Sequence, residues 1–219
     1  MIELRNIVKE YNTENMVTRA LDGLDLTLDN GEYVAVMGRS GSGKSTLLHI
    51  LGGMDRATSG QYLWDGREIS GLDAKELEKF RKEHVSFVFQ NYMLMNSYTV
   101  FENIEVPLIA RGVKAKQRKE TVEKYMELVG ISDLAGKLPI HISGGQQQRC
   151  GIARALAADT DLLLADEPTG ALDRKTGEEI MDVFDRIKGE RTIVLVTHDE
   201  NIASRTDRIL HIEDGKLMR

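Results

Sequence analysis

The sequence predicts an α/β protein in which a mostly parallel sheet is accompanied by an antiparallel β subdomain and an inserted α-helical subdomain. An apolar run, Tyr33–Met37, leads through a glycine-rich stretch into the helix-forming segment Leu47–Leu51. Two further runs, 161–165 and 192–196, are apolar on both faces, which is typical of parallel strands covered by helices. Between these β-rich parts, residues 91–158 have a mostly helical pattern.

Composition limits what the chain can be. Its 219 residues suffice for a proper core, and 41% hydrophobic with 29% charged residues is ordinary for a soluble globular protein. The net charge of −6 gives no help to nonspecific nucleic-acid binding, so we expect no nucleic-acid partner. The single Cys150 excludes an intramolecular disulfide and a cysteine-rich zinc site. No apolar run approaches the ~20 residues of a membrane helix and no signal segment opens the chain, so we expect a cytoplasmic protein.

The first part of the chain is predicted to contain short strands. Alternating segments at 2–8 and 24–28 predict strands joined by turns, and Gly60–Gly66 predicts another. A helix is predicted over Ala74–Lys82, followed by a buried strand at His84–Phe89.

The later elements follow from periodicity. Lys114–Val129 predicts an amphipathic helix, because apolar residues recur there at helical spacing. We interpret its basic start, 114–119, as a solvated helix end, with contact to lipid headgroups or a partner as the alternative. Thr176–Lys188 predicts a crossover helix between the two apolar strands, and 208–218 predicts a hairpin that turns at Asp214-Gly215.

The glycine-rich stretch predicts a phosphate-binding loop. It comprises Gly38, Arg39, Ser40, Gly41, Ser42, Gly43, Lys44, Ser45 and Thr46. Glycines let successive N–H groups point at a polyphosphate, and the following helix adds a partial positive charge. Lys44 would neutralise the β- and γ-phosphates, and the Ser45 hydroxyl would take one position on Mg²⁺. The alternative is a chance match to the spacing, which the flanking strand and helix disfavour.

Polar residues follow three of the predicted strands, at the edge where ligands of parallel sheets collect. We predict that Asp166 holds Mg²⁺ opposite Ser45, and that Glu167 acts as general base or orients the attacking water. The alternative is a pair of acids that caps a strand end in solvent. His198 would hydrogen-bond the γ-phosphate or the water, although a lone histidine is more often structural. The Gln90 amide would reach Mg²⁺ or water.

A second glycine-rich helix start is formed by Ser143, Gly144, Gly145 and Gln146. Ser143 is a good N-cap and the glycines leave N–H groups exposed, which predicts a second anion site. The chain then has two phosphate-binding elements but one lysine loop and one acid pair. A head-to-tail pair of subunits would resolve this mismatch, because each would lend its Ser-Gly-Gly element to the nucleotide of the other.

Two single residues have open interpretations. Tyr11 could stack on an adenine ring or pack in the core, and the sequence does not decide between them. Cys150 is predicted to be a small packed helix residue rather than a nucleophile.

Together these residues resemble the ATP-binding subunit of ABC transporters, over essentially the entire chain and in the order of the family's motifs. The matches are Tyr11 (adenine-stacking aromatic), Gly38–Ser45 (phosphate loop), Gln90 (Q-loop), Ser143–Gln146 (signature), Leu162–Glu167 (second nucleotide motif), Ala171–Asp173 (loop that crosses the dimer) and His198 (switch histidine).

The resemblance implies one domain, 1–219, with a RecA-like P-loop core at 1–90 and 159–219 and a helical signature subdomain at 91–158. It implies an enzyme that hydrolyses ATP with Mg²⁺, because Glu167 is present. The implied partners are a second copy of the chain in an ATP-sandwich homodimer and a transmembrane permease. The permease would hold the chain at the inner face of the cell membrane.

A finer resemblance is to the group that includes lipoprotein-release, macrolide-export and antimicrobial-peptide-resistance ATPases. It is carried by residues 19–24, 38–48, 89–94, 102–108, 144–149 and 165–173. The chain departs from the common family pattern at Ile142, where leucine is usual, and at Gly170, where serine is common. Neither departure implies lost activity. Nucleotide contacts implied by the family also include Asp173.

Three functions remain open at this point. The favoured one is an ATPase that powers export or extraction of a hydrophobic compound, a peptide or a lipoprotein through a permease. The second is an ABC-type ATPase of cell division or mechanical signalling that acts through a permease-like partner without transport. The third is a nucleotide sensor without turnover. DNA-repair and chromosome ATPases are disfavoured, because no long heptad run separates the phosphate loop from the signature.

Overall fold

The fold comes from a computed structural model in which residues 1–13 and 16–218 are described. The strands are β1 (Ile2–Thr13), β2 (Met16–Leu28), β3 (Tyr33–Met37), β4 (Ser59–Trp64), β5 (Arg67–Glu68), β6 (Val85–Val88), β7 (Leu162–Asp166), β8 (Thr192–Val196), β9 (Arg208–Glu213) and β10 (Lys216–Leu217). The α-helices are α1 (Lys44–Leu51), α2 (Ala74–His84), α3 (Val100–Ala110), α4 (Ala115–Leu128), α5 (Gly144–Ala157), α6 (Arg174–Arg186) and α7 (Glu200–Ala203). Short 3₁₀ turns cover Ser132–Leu134 and Pro139–His141.

The central sheet has six strands in the order β10-β9-β3-β8-β7-β6. All its pairs are parallel except the hairpin of β9 with β10. Strand β8 is buried along its whole length, which agrees with its apolar run from Ile193 to Val196. A second, antiparallel sheet has the order β2-β1-β4-β5. The predicted α/β class, with a mostly parallel sheet and an antiparallel β part, is confirmed.

Strands β1 and β2 are longer than the alternating segments predict, with 12 and 13 residues. The register between them shifts at three places, including the step from Leu4 to Ile7. Each shift breaks the two-residue alternation of inward and outward side chains, so the outer halves of both strands do not have the expected pattern. Tyr11 lies in the outer half of β1, opposite Thr18.

The boundaries of α2 and α6 also differ from the predicted ones. His84 ends α2 instead of opening β6, and its Nδ1 lies 2.7 Å from Asp161 Oδ2. The last turn of α2 is rich in basic residues, which favours continuing the helix to its negative end. Helix α6 begins at Arg174, two residues early, because the Asp173 side chain accepts a hydrogen bond from Thr176 N and caps it.

Two apolar clusters cover the two faces of the central sheet. One cluster joins α1, α2 and the antiparallel sheet to alternate residues of the central sheet, such as Leu162 and Leu164 of β7. The other cluster joins α3, α4, α5 and α6 to the intervening residues of the central sheet, such as Leu163, whose side chains lie on the opposite face. Cys150 is fully buried in this second cluster, as predicted, and burial raises the pKa of its thiol to about 12. In the part of the chain that is described, no helix has the length and apolarity to cross a membrane.

Candidate active site

A cleft of about 550 Å³ lies where β3, β7 and β8 end and α1 begins. It brings together most of the residues that were predicted to act on a nucleotide. Its lining comprises Ala20, Gly38, Arg39, Ser40, Gly41, Gly43, Lys44, Ser45, Thr46, Gln90, Asp166, Glu167, Val196 and His198. Ala20 and Val196 were not predicted as site residues. They are small or apolar wall residues without reactive groups, so the sequence alone marks neither.

The phosphate loop needs glycine at particular positions. Gly43 precedes α1 with φ of 108°, and a Cβ on it would lie 2.4 Å from the Ala20 carbonyl oxygen. A Cβ on Gly38 would lie 2.2 Å from the Ile212 carbonyl oxygen. No side chain caps α1 within the described structure, so its first N–H groups stay available to an anion.

The Lys44 ammonium lies against the loop. Its Nζ donates hydrogen bonds to the carbonyl oxygens of Gly38 and Arg39, both at 2.8 Å. This places a positive charge beside the N-terminus of α1, in the cleft. The cluster of charge and free N–H groups suits a polyphosphate.

Asp166, Glu167 and His198 lie at the wall of the cleft opposite the phosphate loop. Asp166 is the last residue of β7, and Glu167 follows in the left-handed region with φ of 46°. The backbone N–H of Glu167 donates to the Val196 carbonyl at 3.0 Å, which holds it against β8. The Glu167 side chain is only 16% exposed, so it does not extend into solvent as a simple strand cap would.

Glu167 and His198 form a direct pair. His198 Nδ1 lies 3.0 Å from Glu167 Oε1. The hydrogen bond to Glu167, together with the negative charge of that carboxylate, raises the pKa of His198 above its ordinary value. The imidazole is 75% exposed and therefore reaches into the open cleft.

The same cleft contains oxygen donors that fit a magnesium ion. Among the residues described, no group of three or more His, Cys, Asp and Glu side chains could hold a metal. The cleft does contain the Ser45 hydroxyl, the Gln90 amide and the Asp166 carboxylate. One carboxylate with neutral oxygens and substrate phosphates is typical of Mg²⁺.

The Ser-Gly-Gly element lies outside this cleft. Ser143 is exposed and caps α5: its Oγ accepts from Gln146 N at 3.3 Å, and Gln146 Oε1 accepts from Ser143 N at 2.9 Å. None of the residues 143–146 lines the cleft. Asp173 is likewise exposed and outside it, and its hydrogen bonds from Thr176 lower its pKa.

The segment after Gln90 is strained and anchored, which the sequence did not reveal. Tyr92 and Met93 both have positive φ, 61° and 48°. The Arg154 guanidinium donates to their carbonyl oxygens at 2.9 and 2.6 Å, and burial lowers the pKa of Arg154. A Cβ on Gly144 would lie 2.9 Å from the Tyr92 hydroxyl oxygen, so this segment packs on the start of α5.

Tyr11 lies beside the cleft and not in the core. The residue is 39% exposed, and its hydroxyl donates to Asp55 Oδ2 at 2.9 Å. The hydroxyl also interacts with Thr46, which lines the cleft. The Lys9 ammonium lies 4.8 Å from the centre of the Tyr11 ring.

Comparisons with known proteins agree on one family. The family model described as "ABC transporter" matches residues 21–170. The macrolide export ATP-binding/permease protein MacB 1/2 of Paracoccus denitrificans is 47% identical over all of this chain, which covers 33% of that relative. The ABC transporter ATP-binding protein YknY of Bacillus subtilis, described as uncharacterized, is 45% identical, with 100% of this chain and 95% of the relative covered.

Solved structures give the same result. The ATP-binding cassette MJ0796, solved as a dimer in a post-hydrolysis state bound to ADP and Pi, has a TM-score of 0.94 and 40% identity; 100% of this chain and 97% of that chain are covered. The present chain spans about a third of the length of the MacB relatives. The resemblance seen in the sequence is confirmed: the chain belongs to the ABC transporter family.

Proposed function

We propose that the chain is the ATP-binding and ATP-hydrolysing subunit of an ABC transporter. The observation that supports this most is the convergence of the phosphate loop with Asp166, Glu167 and His198 in one cleft. Lys44 and the N-terminus of α1 supply the positive charge that a triphosphate needs. The opposite wall supplies the acid and the imidazole that act on water.

Mg²⁺ would be held by Ser45, Asp166 and Gln90, the oxygen donors of the cleft. When bound, it supplies charge neutralisation at the β- and γ-phosphate oxygens. The remaining contacts to the nucleotide come from the loop residues Arg39 to Thr46.

Glu167 accepts a proton from the attacking water or orients it. The water oxygen forms a bond to the γ-phosphorus, and the bond to the β–γ bridging oxygen breaks, leaving that oxygen on ADP. His198 Nδ1 holds Glu167 Oε1 and fixes the direction of the carboxylate. Its exposed ring leaves the second nitrogen for the γ-phosphate.

The second phosphate-binding element requires a second chain. Ser143, Gly144, Gly145 and Gln146 lie at a capped helix start that its own cleft does not include. We therefore propose a head-to-tail homodimer, in which this element and Asp173 approach the nucleotide of the other copy. The dimeric state of the MJ0796 cassette supports this arrangement.

The chain would deliver its motion to a membrane permease. In the proposed division, 1–90 and 159–219 bind the nucleotide, and 91–158 rotates as a helical signature subdomain. The segment from Gln90 to Tyr98 joins the two parts and is the proposed route to the permease. The MacB relatives, whose names combine ATP-binding with permease, support export or extraction of a hydrophobic compound, a peptide or a lipoprotein. The chain would then be a cytoplasmic subunit held peripherally at the membrane's inner face.

The test is phosphate release by the purified chain with ATP and Mg²⁺, measured over a range of chain concentrations. We expect the specific rate to rise with chain concentration, because each site is completed by a second copy. Lys79→Ala, at an exposed residue of α2, is the control and should leave the rate unchanged. ATP binding without phosphate release at any concentration would instead favour a nucleotide sensor. Copurification of the chain with a permease distinguishes a permease-coupled ATPase from a free one.

A further inference from the structure

A network beside the cleft connects Tyr11 to the turn that follows α1. The Tyr11 hydroxyl donates to Asp55 Oδ2 at 2.9 Å, and Lys9 Nζ donates to Asp55 Oδ1 at 2.6 Å. The Lys9 ammonium also donates to the Arg56 carbonyl at 2.8 Å and lies 4.8 Å from the centre of the Tyr11 ring. Asp55 thus holds both the edge of the ring and the cation that covers one of its faces.

Backbone hydrogen bonds fix the position of Asp55, the acceptor in this network. The N–H of Asp55 donates to the His49 carbonyl at 3.1 Å, which ties it to the end of α1. The N–H of Thr58 donates to the Val8 carbonyl at 2.8 Å, and Thr58 Oγ1 accepts from Glu10 N at 2.9 Å. The turn therefore bridges α1, which begins at the phosphate loop, and β1, which contains Tyr11.

The network is more enclosed than a surface ion pair. The Lys9 side chain is 12% exposed and that of Asp55 is 32% exposed. Burial would raise the pKa of Asp55, but the hydrogen bonds from Lys9, Tyr11 and Arg56 N outweigh it and lower that pKa. The carboxylate is therefore ionised and acts as a permanent acceptor at neutral pH.

The orientation leaves one ring face for a ligand. Lys9 covers one face of the Tyr11 ring, whereas the residue as a whole stays 39% exposed. The hydroxyl interacts with Thr46, which lines the cleft, so Tyr11 borders the site at the first turn of α1. An anchored ring loses less rotamer freedom when a flat base stacks on it.

We infer that Asp55 and Lys9 are positioning residues that hold Tyr11 ready to stack on the adenine base. This inference rests on the proposed function, in which the cleft binds ATP. Asp55 and Lys9 contact Tyr11 and do not line the cleft, so we expect them to act on base recognition alone. Their effect is confined to ligands that have a base.

The test compares ATP with tripolyphosphate, both with Mg²⁺, by titration calorimetry on the full chain. Tyr11→Ala removes the stacking ring and should weaken ATP binding about tenfold or more, with tripolyphosphate affinity unchanged. Asp55→Ala should weaken ATP binding about threefold to tenfold, raise KM for ATP and leave kcat within about twofold. Tripolyphosphate affinity serves as the internal measure that the phosphate loop is intact.

Two further variants separate positioning from general stability. Tyr11→Phe keeps the ring but loses its bond to Asp55, so it should weaken ATP binding like Asp55→Ala, and the double variant should add little. Asp55→Asn keeps one oxygen acceptor, which suffices for the Tyr11 hydroxyl but not also for the Lys9 ammonium, and should restore part of the affinity. Lys79→Ala is the matched surface control.

Three outcomes would overturn the inference. Equal losses of ATP and tripolyphosphate affinity in Asp55→Ala would show a merely structural role. A loss in Tyr11→Ala with none in Asp55→Ala would leave the stacking in place and refute the positioning role alone. Unchanged ATP affinity in Tyr11→Ala would refute stacking itself, and the inference with it, while phosphate release would still test the ATPase proposal separately.

Discussion

Replacing Glu167 by Gln tests the chemical role of the acid pair most sharply. The two side chains have the same shape, and a Gln oxygen could still accept a hydrogen bond from His198 Nδ1, which lies 3.0 Å from Glu167 Oε1. The backbone bond from residue 167 to the Val196 carbonyl is unaffected. The substitution therefore removes a negative charge and a proton acceptor and leaves the local packing in place.

The expected loss is large in rate and small in stability. A positioned general base contributes about 10²- to 10⁴-fold, so kcat should fall by about that factor. This equals about 3–5 kcal/mol of activation free energy, at about 1.36 kcal/mol for each tenfold. The lost pair involves an imidazole that is 75% exposed, so its contribution to folding is at most that of a surface ion pair.

The rate is measured by single-turnover phosphate release, and the ATP affinity is measured by titration calorimetry. Glu167→Gln should keep the ATP affinity of the parent chain and should accumulate the ATP-bound dimer in sedimentation experiments. A kcat within about threefold of the parent would remove Glu167 from the proposed role. A fall in ATP affinity as large as the fall in kcat would mean that Glu167 acts in binding, which would also contradict the assignment.

Other substitutions test the loop and the histidine. Lys44→Ala should raise the dissociation constant for ATP about tenfold to a hundredfold, because a charge-assisted contact to the phosphates is lost; unchanged affinity by calorimetry would contradict the phosphate-loop assignment. Gly43→Ala should lower stability by about 1–3 kcal/mol in urea and abolish ATP binding, because its Cβ would lie 2.4 Å from a backbone carbonyl; Gly41→Ala, with no atom within 4 Å of the added Cβ, should suffer only the backbone strain at φ of 79°. The raised pKa of His198 adds stability that is complete below the ordinary value of 6.5 and is lost as the pH rises through the raised pKa. The unfolding midpoints of the parent and Glu167→Gln should therefore differ more at pH 6 than at pH 9, and a difference that grows with pH would refute this sign.

Much of the central sheet could be predicted from the sequence. Strand β8 has the predicted bounds, 192–196, because every residue in it is apolar or small and both faces are covered. The outer halves of β1 and β2 could not be predicted in the same way. Their pairing depends on register shifts between partner strands, and a shift cannot be seen in one strand's own alternation.

The residues of the candidate site also fall into a group that the sequence predicts and a group that it does not. The loop, Asp166, Glu167, His198 and Gln90 follow strands whose ends meet at one edge, so a topological rule brings them together. Arg154 could not be recognised, because its partners are carbonyl groups of Tyr92 and Met93, about sixty positions earlier in the chain. Asp55 could not be recognised for the same reason, because its proposed role depends on a contact between the turn after α1 and Tyr11 of β1.

We propose that one chain holds an incomplete site and that the Ser-Gly-Gly element, 143–146, of a second chain completes it. The most direct measurement uses two Glu167→Gln chains of different tag size, one with Ser40→Cys and one with Ser143→Cys, treated with a short bismaleimide. Both positions are exposed, and the native Cys150 is buried and should not react. We expect a cross-linked product that contains both tags and forms only with ATP. ATP binding without any such product would contradict it.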